Sequence, residues 1–116
     1  MQSRNLEIAE AYYLAMNSRD LVSMSRYLDE EVESLSPLAH ICGKEAVLED
    51  AKKLMESVER IDIRAKMGSD GQTVLIYDLI FSKAKGVART AALLNIENDK
   101  ITRSEVFTDS KMFERH

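Results

Sequence analysis

The sequence predicts an α+β domain, with helices first and an antiparallel sheet curved over them. Through residue 58 the apolar residues recur every third or fourth position, the period of a helix lying on a core. From residue 61 they recur every second position, the period of a strand. The short polar stretches GSDG, KAKG and ENDK then cut the second half into hairpins. Grouped helices followed by grouped strands pack as a layer of helices on one face of a sheet.

Leu6, Ala9, Tyr13 and Met16 fall at i, i+3, i+7 and i+10, with Ile8 and Tyr12 widening the stripe of the first helix. NSRD, residues 17–20, interrupts that stripe, and Asp20 is an N-cap for a short second helix carrying Leu21, Met24 and Leu28 on one face. In DEEVESLSP, Val32, Ser34 and Ser36 alternate weakly with Glu31, Glu33 and Leu35, which predicts a short strand. Pro37 ends it, and SPLAHICG (36–43) reads as the joint into a third helix that begins after Gly43. Val47, Ala51, Leu54 and Val58 form the stripe of that helix; Glu45, Glu49 and Asp50 lie in its first turns, where the helix dipole favours negative charge.

IDIRAKM (61–67) alternates throughout, with Ile61, Ile63, Ala65 and Met67 on one face. TVLIYDLIF (73–81) and VARTAALLNI (87–96) are apolar on both faces, and ITRSEVFTD (101–109) is the last strand. Central strands of this kind need both faces dry. One covers the helices; the other predicts a homodimer, sheet against sheet.

The 116 residues suit a single core. The formal charge of −4 is spread along the chain with no basic stripe, which argues against nucleic-acid binding. No apolar run approaches the ~20 residues of a membrane span, and MQSRNLEIAEAYY reads as a helix start rather than a signal peptide. One cysteine allows no internal disulfide, which suits a reducing cytoplasm.

Three stretches in order, AYYLAMNSRDL, SPLAHICGKEAV and NDKITRSEVFTD, resemble the helix-one motif, the proline-to-glycine loop and the final hairpin of the nuclear transport factor two-like superfamily. This is the fold of ketosteroid isomerases, SnoaL-type polyketide cyclases and limonene epoxide hydrolases. The resemblance covers roughly residues 5–110. It implies one SnoaL-like domain over 1–116, a cone-shaped, curved, mixed sheet around three N-terminal helices, with 110–116 a flexible tail.

The resemblance places Tyr12 at the isomerases' oxyanion tyrosine, but Ser36 and Ala92 where their two catalytic aspartates stand. A serine without a neighbouring base cannot take a proton from a carbon acid, so isomerase chemistry by that mechanism is excluded. Asp78, Arg89 and Asp109 could supply the epoxide hydrolases' Asp–Arg–Asp arrangement, yet the aligned register points them outward, provided no bulge shifts it. Asp78 and Arg89 are then expected to pair beside the dimer interface. His40, near the cone mouth, is the titratable candidate for a cyclase-like reaction alongside Tyr12. Cys42 is expected to be buried and inert, facing away from His40; two ligands make no metal site, and no metal or cofactor is expected.

The inferred cavity has an apolar wall of Met16, Leu28, Val58, Leu75, Leu79, Leu94 and Val106. Its expected ligand contacts are Tyr12, Met16, Ser36, Leu75, Tyr77, Thr90, Ala92, Ser104 and Thr108. The expected function is binding of a small apolar or ring-containing molecule. The alternatives are a polyketide-cyclase- or isomerase-like enzyme using Tyr12 with His40, and a dimeric docking module.

Overall fold

The computed structural model describes residues 4–69, 71–82 and 86–109; the expected tail at 110–116 lies outside them. The elements run α1 (Arg4–Asn17), α2 (Leu21–Arg26), β1 (Leu28–Leu35), β2 (His40–Cys42), α3 (Lys44–Ser57), β3 (Val58–Ser69), β4 (Gln72–Phe81), β5 (Val87–Glu97) and β6 (Lys100–Phe107). One six-stranded sheet has the order β2-β1-β6-β5-β4-β3. Every pairing is antiparallel except β1 with β6, so the sheet is mixed. No helix among the described residues is long and apolar enough to cross a membrane.

The first helix buries Ile8, Ala9, Tyr12, Tyr13 and Met16 against the sheet, the stripe that its period predicts. Asp20 caps α2, accepting from the Ser23 backbone N–H at 3.1 Å and from its hydroxyl at 2.7 Å. That helix stops at Arg26, so Leu28 is not part of it. The Tyr27 carbonyl accepts the Ile101 N–H at 2.7 Å, which draws the chain into the sheet and leaves Leu28 buried as the first residue of β1.

The SPLAHICG joint also differs from expectation, because it contains a strand. Ser36 and Ala39 exchange backbone hydrogen bonds at 2.9 and 3.3 Å around Pro37 and Leu38, making a tight hairpin. Pro37 presets φ at the first corner of that turn. β2 then pairs with β1, with Leu35 opposite His40 and Glu33 opposite Cys42. Gly43, at φ +96°, turns the chain into α3 through a conformation that side chains rarely adopt.

No loop separates α3 from β3. The junction is held instead by the end of α1, where Asn17 Oδ1 accepts the Ile61 N–H at 2.7 Å. The Arg19 guanidinium donates to the Met55 carbonyl at 3.2 Å and to the Val58 carbonyl.

The alternation of IDIRAKM does not persist in space. Ile61 and Ile63 pair with Leu79 and Tyr77, but the register shifts at Arg64, so that Ala65 opposes Ile76 and Lys66 opposes Leu75. This bulge moves Ala65 and Met67 to the outer face and turns Lys66 and Gly68 toward α1. Lys66 reaches Glu10 at 2.8 Å, and a Cβ on Gly68 would stand 2.9 Å from Leu6 Cδ1. Asn98 and Asp99, at φ 52° and 64°, form the two-residue turn between β5 and β6, with both corners left-handed.

Removing the Asn17 amide leaves the Ile61 N–H without its partner. Asn17→Ala is therefore expected to cost about 1–3 kcal/mol, seen as a lowered urea midpoint. A midpoint equal to wild type would show that the junction does not depend on this bond.

Candidate functional site

A cavity of about 320 Å³ opens between α1, α3 and the inner faces of β1, β4 and β6. Strand alternation turns Val32 and Ser34 of β1, Tyr77, Leu79 and Phe81 of β4, and Ser104 and Val106 of β6 into it. Met16, Leu28, Val47, Ala51, Leu54 and Ile101 complete a mostly apolar wall. The β1–β2 hairpin forms the lip through residues 36–39 and Ile41.

Three tyrosines give the cavity its polar character. The rings of Tyr12 and Tyr13 meet edge to face, with centroids 5.3 Å apart at 86°. Tyr13 and Tyr77 lie 4.8 Å apart at 40°, and the Tyr77 hydroxyl makes a long 3.5 Å contact to that of Tyr13. Ser104 also bonds to Tyr13. Burial pushes all three phenols above their ordinary pKa; for Tyr13, bonds from Tyr77 and Ser104 pull partly the other way. They face the cavity as neutral hydroxyls, able to orient a ligand but not to carry charge at neutral pH.

Asp50 on α3 is the carboxylate lining this space, at its solvent-exposed side, with Lys53 also in the lining. Burial raises its pKa from 3.8, opposed by the Lys53 ammonium. Its charge in turn contributes to raising Tyr12, although no hydrogen bond joins the two side chains. Neither Asp50 nor Tyr13 stood out in the sequence as a site residue. The signal for Asp50 was its spacing, since it lies three residues after Val47 and four before Leu54, on the same helix face.

Of the expected ligand contacts, Tyr12, Met16, Ser36, Tyr77, Ser104 and Thr108 border the cavity. Leu75, Thr90 and Ala92 do not, and Val58 and Leu94 are likewise packed away from it. Leu75, Ala92 and Leu94 face inward as the register requires, but the N-terminal half of α1 closes the cone over their end, with Leu6 at Gly68 and Glu10 at Lys66. Val58 lies at the other end, opposite Phe81, buried where α3 runs into β3. Leu75 and Ala92 are fully buried, and the Thr90 hydroxyl is engaged by the Ala88 carbonyl at 3.2 Å and Thr108 at 3.0 Å. Ser36 sits on the rim, where its hydroxyl accepts the Leu38 N–H at 3.3 Å and serves the turn.

His40 is absent from the lining, which removes it as a partner for Tyr12. Strand alternation turns Ile41 inward and sends His40 and Cys42 out together. Cys42 is accordingly exposed, not buried, with Sγ 3.6 Å from His40 Nε2; residues two apart on a strand share a face. That nitrogen also lies 2.8 Å from Glu33 Oε2. Asp78 lies on the outer face of β4, between Arg64 at 3.0 Å and Arg89 at 3.5 Å. Asp109 is exposed.

No family model matches the chain, and no curated protein matches it. Solved structures match it over nearly its whole length. An NTF2-like protein of unknown function from Cytophaga hutchinsonii is 18% identical with a TM-score of 0.84, over 99% of this chain and 98% of that one. An LEH-like epoxide hydrolase from M. tuberculosis is 14% identical, TM-score 0.81, covering 96% and 87%. A candidate SnoaL-like polyketide cyclase from Shewanella denitrificans is 13% identical, TM-score 0.80, covering 97% and 96%. The chain thus has the nuclear transport factor two-like fold: α+β, with three helices and a six-stranded mixed sheet. Proteins with this fold include isomerases, polyketide cyclases and members of unknown function, so activity has to come from the site.

A carboxylate whose pKa is raised by folding stabilises the fold below its unfolded pKa, and that contribution is lost as pH rises through the folded value. Because Asp50 is solvent-exposed and screened, Asp50→Asn is expected to raise the urea midpoint only slightly at pH 7 and to leave it near wild type at pH 3. A gain of equal size at both pH values would contradict this.

Proposed function

We propose that this chain is a single-domain, small-molecule-binding protein whose ligand is apolar and ring-containing. The observation that carries the reading is the apolar cavity whose polar groups are chiefly neutral hydroxyls, Tyr12, Tyr13, Tyr77 and Ser104. Its volume of about 320 Å³ suits a compact ligand, for which apolar wall supplies affinity and hydroxyls supply orientation. The exposed Cys42 thiol suits a reducing, cytoplasmic setting.

The test uses 1-naphthol, a fused ring with one hydroxyl, titrated by calorimetry. Wild type is expected to bind one equivalent per chain. Ala51→Phe, which fills the cavity from its α3 wall, is expected to abolish binding, and Tyr13→Phe to weaken it about three- to tenfold. Absent binding, or binding unchanged in Ala51→Phe, would overturn the proposal.

An acid–base enzyme is the second reading, and the raised pKa of Asp50 favours it. Here Asp50, not His40, is the proton-transferring group, since it shares the cavity with Tyr12. Such an enzyme would lose turnover in Asp50→Asn while keeping its affinity for substrate.

We also propose a homodimer through the outer sheet face. Val74, Ile76, Ile80 and Leu93 present apolar surface there, bordered by exposed Met67, Val87 and Phe107. Light scattering is expected to give a dimer mass for wild type and a monomer mass for Leu93→Glu. A monomeric wild type removes this reading.

A further inference from the structure

The hairpin of β1 and β2 brings Glu33, His40 and Cys42 together on the side facing away from the cavity. Their ligating atoms all lie within 4.8 Å of one another. We propose that these three side chains form a binding site for Zn²⁺, with a fourth position left to water or a small ligand.

The arrangement follows from pairing and pleat. Glu33 stands directly opposite Cys42, and His40 lies two residues before Cys42 on the same face. Two of the three ligands are therefore neighbours in sequence, while the third arrives only through the fold. The geometry is close to what tetrahedral zinc requires. With Zn–N and Zn–O near 2.1 Å and Zn–S near 2.3 Å, ligand atoms should stand about 3.4 Å (N to O) and about 3.6 Å (N to S) apart. His40 Nε2 is 3.6 Å from Cys42 Sγ and 2.8 Å from Glu33 Oε2. Opening the second distance by about 0.6 Å, and bringing the Glu33 carboxylate oxygen and Cys42 Sγ, which lie within 4.8 Å, to about 3.6 Å, admits an ion bonded to all three. Side-chain rotations at the half-exposed Glu33 and His40 and the exposed Cys42 make both adjustments.

The donor set also selects the ion. Thiolate and imidazole favour a borderline-soft, four-coordinate metal, whereas Mg²⁺ and Ca²⁺ demand six or more oxygens. On binding, zinc replaces the Cys42 thiol proton and any proton on His40 Nε2, and both leave to solvent. The carboxylate that now faces the imidazole becomes the third ligand. Ile41 lies between the two β2 ligands and faces the cavity, so the ion would fix the outer side of the strand that forms the cavity lip.

Co²⁺ reports on this site directly, because the chain holds one cysteine and any thiolate-to-cobalt absorption comes from Cys42. Titration of the full chain with Co²⁺ is expected to give an intense near-ultraviolet charge-transfer band and tetrahedral visible bands at one ion per chain. Zn²⁺ added afterwards should remove both. Cys42→Ser should abolish the charge-transfer band, and His40→Ala and Glu33→Gln should each weaken Zn²⁺ affinity at least tenfold. His116→Ala, the other histidine, should change neither. Circular dichroism matching wild type assigns these losses to the ligands rather than to unfolding. The proposal is overturned by absence of the band, by one ion per two chains, or by full affinity in Glu33→Gln.

Discussion

The end of α1 fixes the fold by reaching across to the place where α3 becomes β3. Asn17 and Arg19 satisfy backbone groups of Met55, Val58 and Ile61 that neither helix nor strand can satisfy alone. A helix that runs straight into a strand leaves its last carbonyls and the first strand amides competing for partners. Here those groups are claimed by the side chains of Asn17 and Arg19, within one turn after Met16. The direction of α1 is thereby set against the sheet, and Tyr12, Tyr13 and Met16 are aimed at the inner face of β4. Without that anchor the helix could slide along the groove of the sheet, and the tyrosine rings would lose their mutual geometry.

The sheet answers this constraint with bulges. The extra residue at Arg64 transfers the inner face from Ile63 to Lys66, and Lys66 meets Glu10 over the N-terminal half of α1. One end of the cone is closed by this contact and by Leu6 against Gly68. The open space is left at the other end, between α3, the β1–β2 hairpin and the inner faces of β4 and β6. The cavity position is a consequence of where the helix touches the sheet, not of a special loop.

Much of this was legible in the residues, and most of the failures have a common cause. The helix stripes, the cap at Asp20 and the ENDK turn depend on near neighbours, so a local pattern declares them. The bulge at Arg64 was not legible, since IDIRAKM alternates equally well with or without an inserted residue. β2 was missed because three residues carry no measurable period. The facing of His40 and Cys42 was readable, since residues two apart on an extended segment share a face, and the expectation that they diverge was an error of parity. The inward parity of Leu75, Thr90 and Ala92 was readable; whether an inward residue meets a void or a neighbouring helix was not. Glu33 joined the two β2 residues only through strand pairing, and Asp50 entered the site through the angle of α3. Such facts belong to distances between elements, which no stretch of sequence encodes alone.

The pairing of β1 with β6 unites the β1–β2 hairpin with the β3–β6 meander by joining Leu28 to Ile101, segments 73 residues apart in sequence. Both strands line the cavity, so that space depends on segments distant in sequence and belongs to no portable fragment. Loop-closure entropy must be met before those strands gain anything from meeting. A piece of the chain lacking either strand keeps helices and a meander but contains no pocket. Recombination with a relative would therefore have to exchange β1 and β6 together, for each strand is half of one wall.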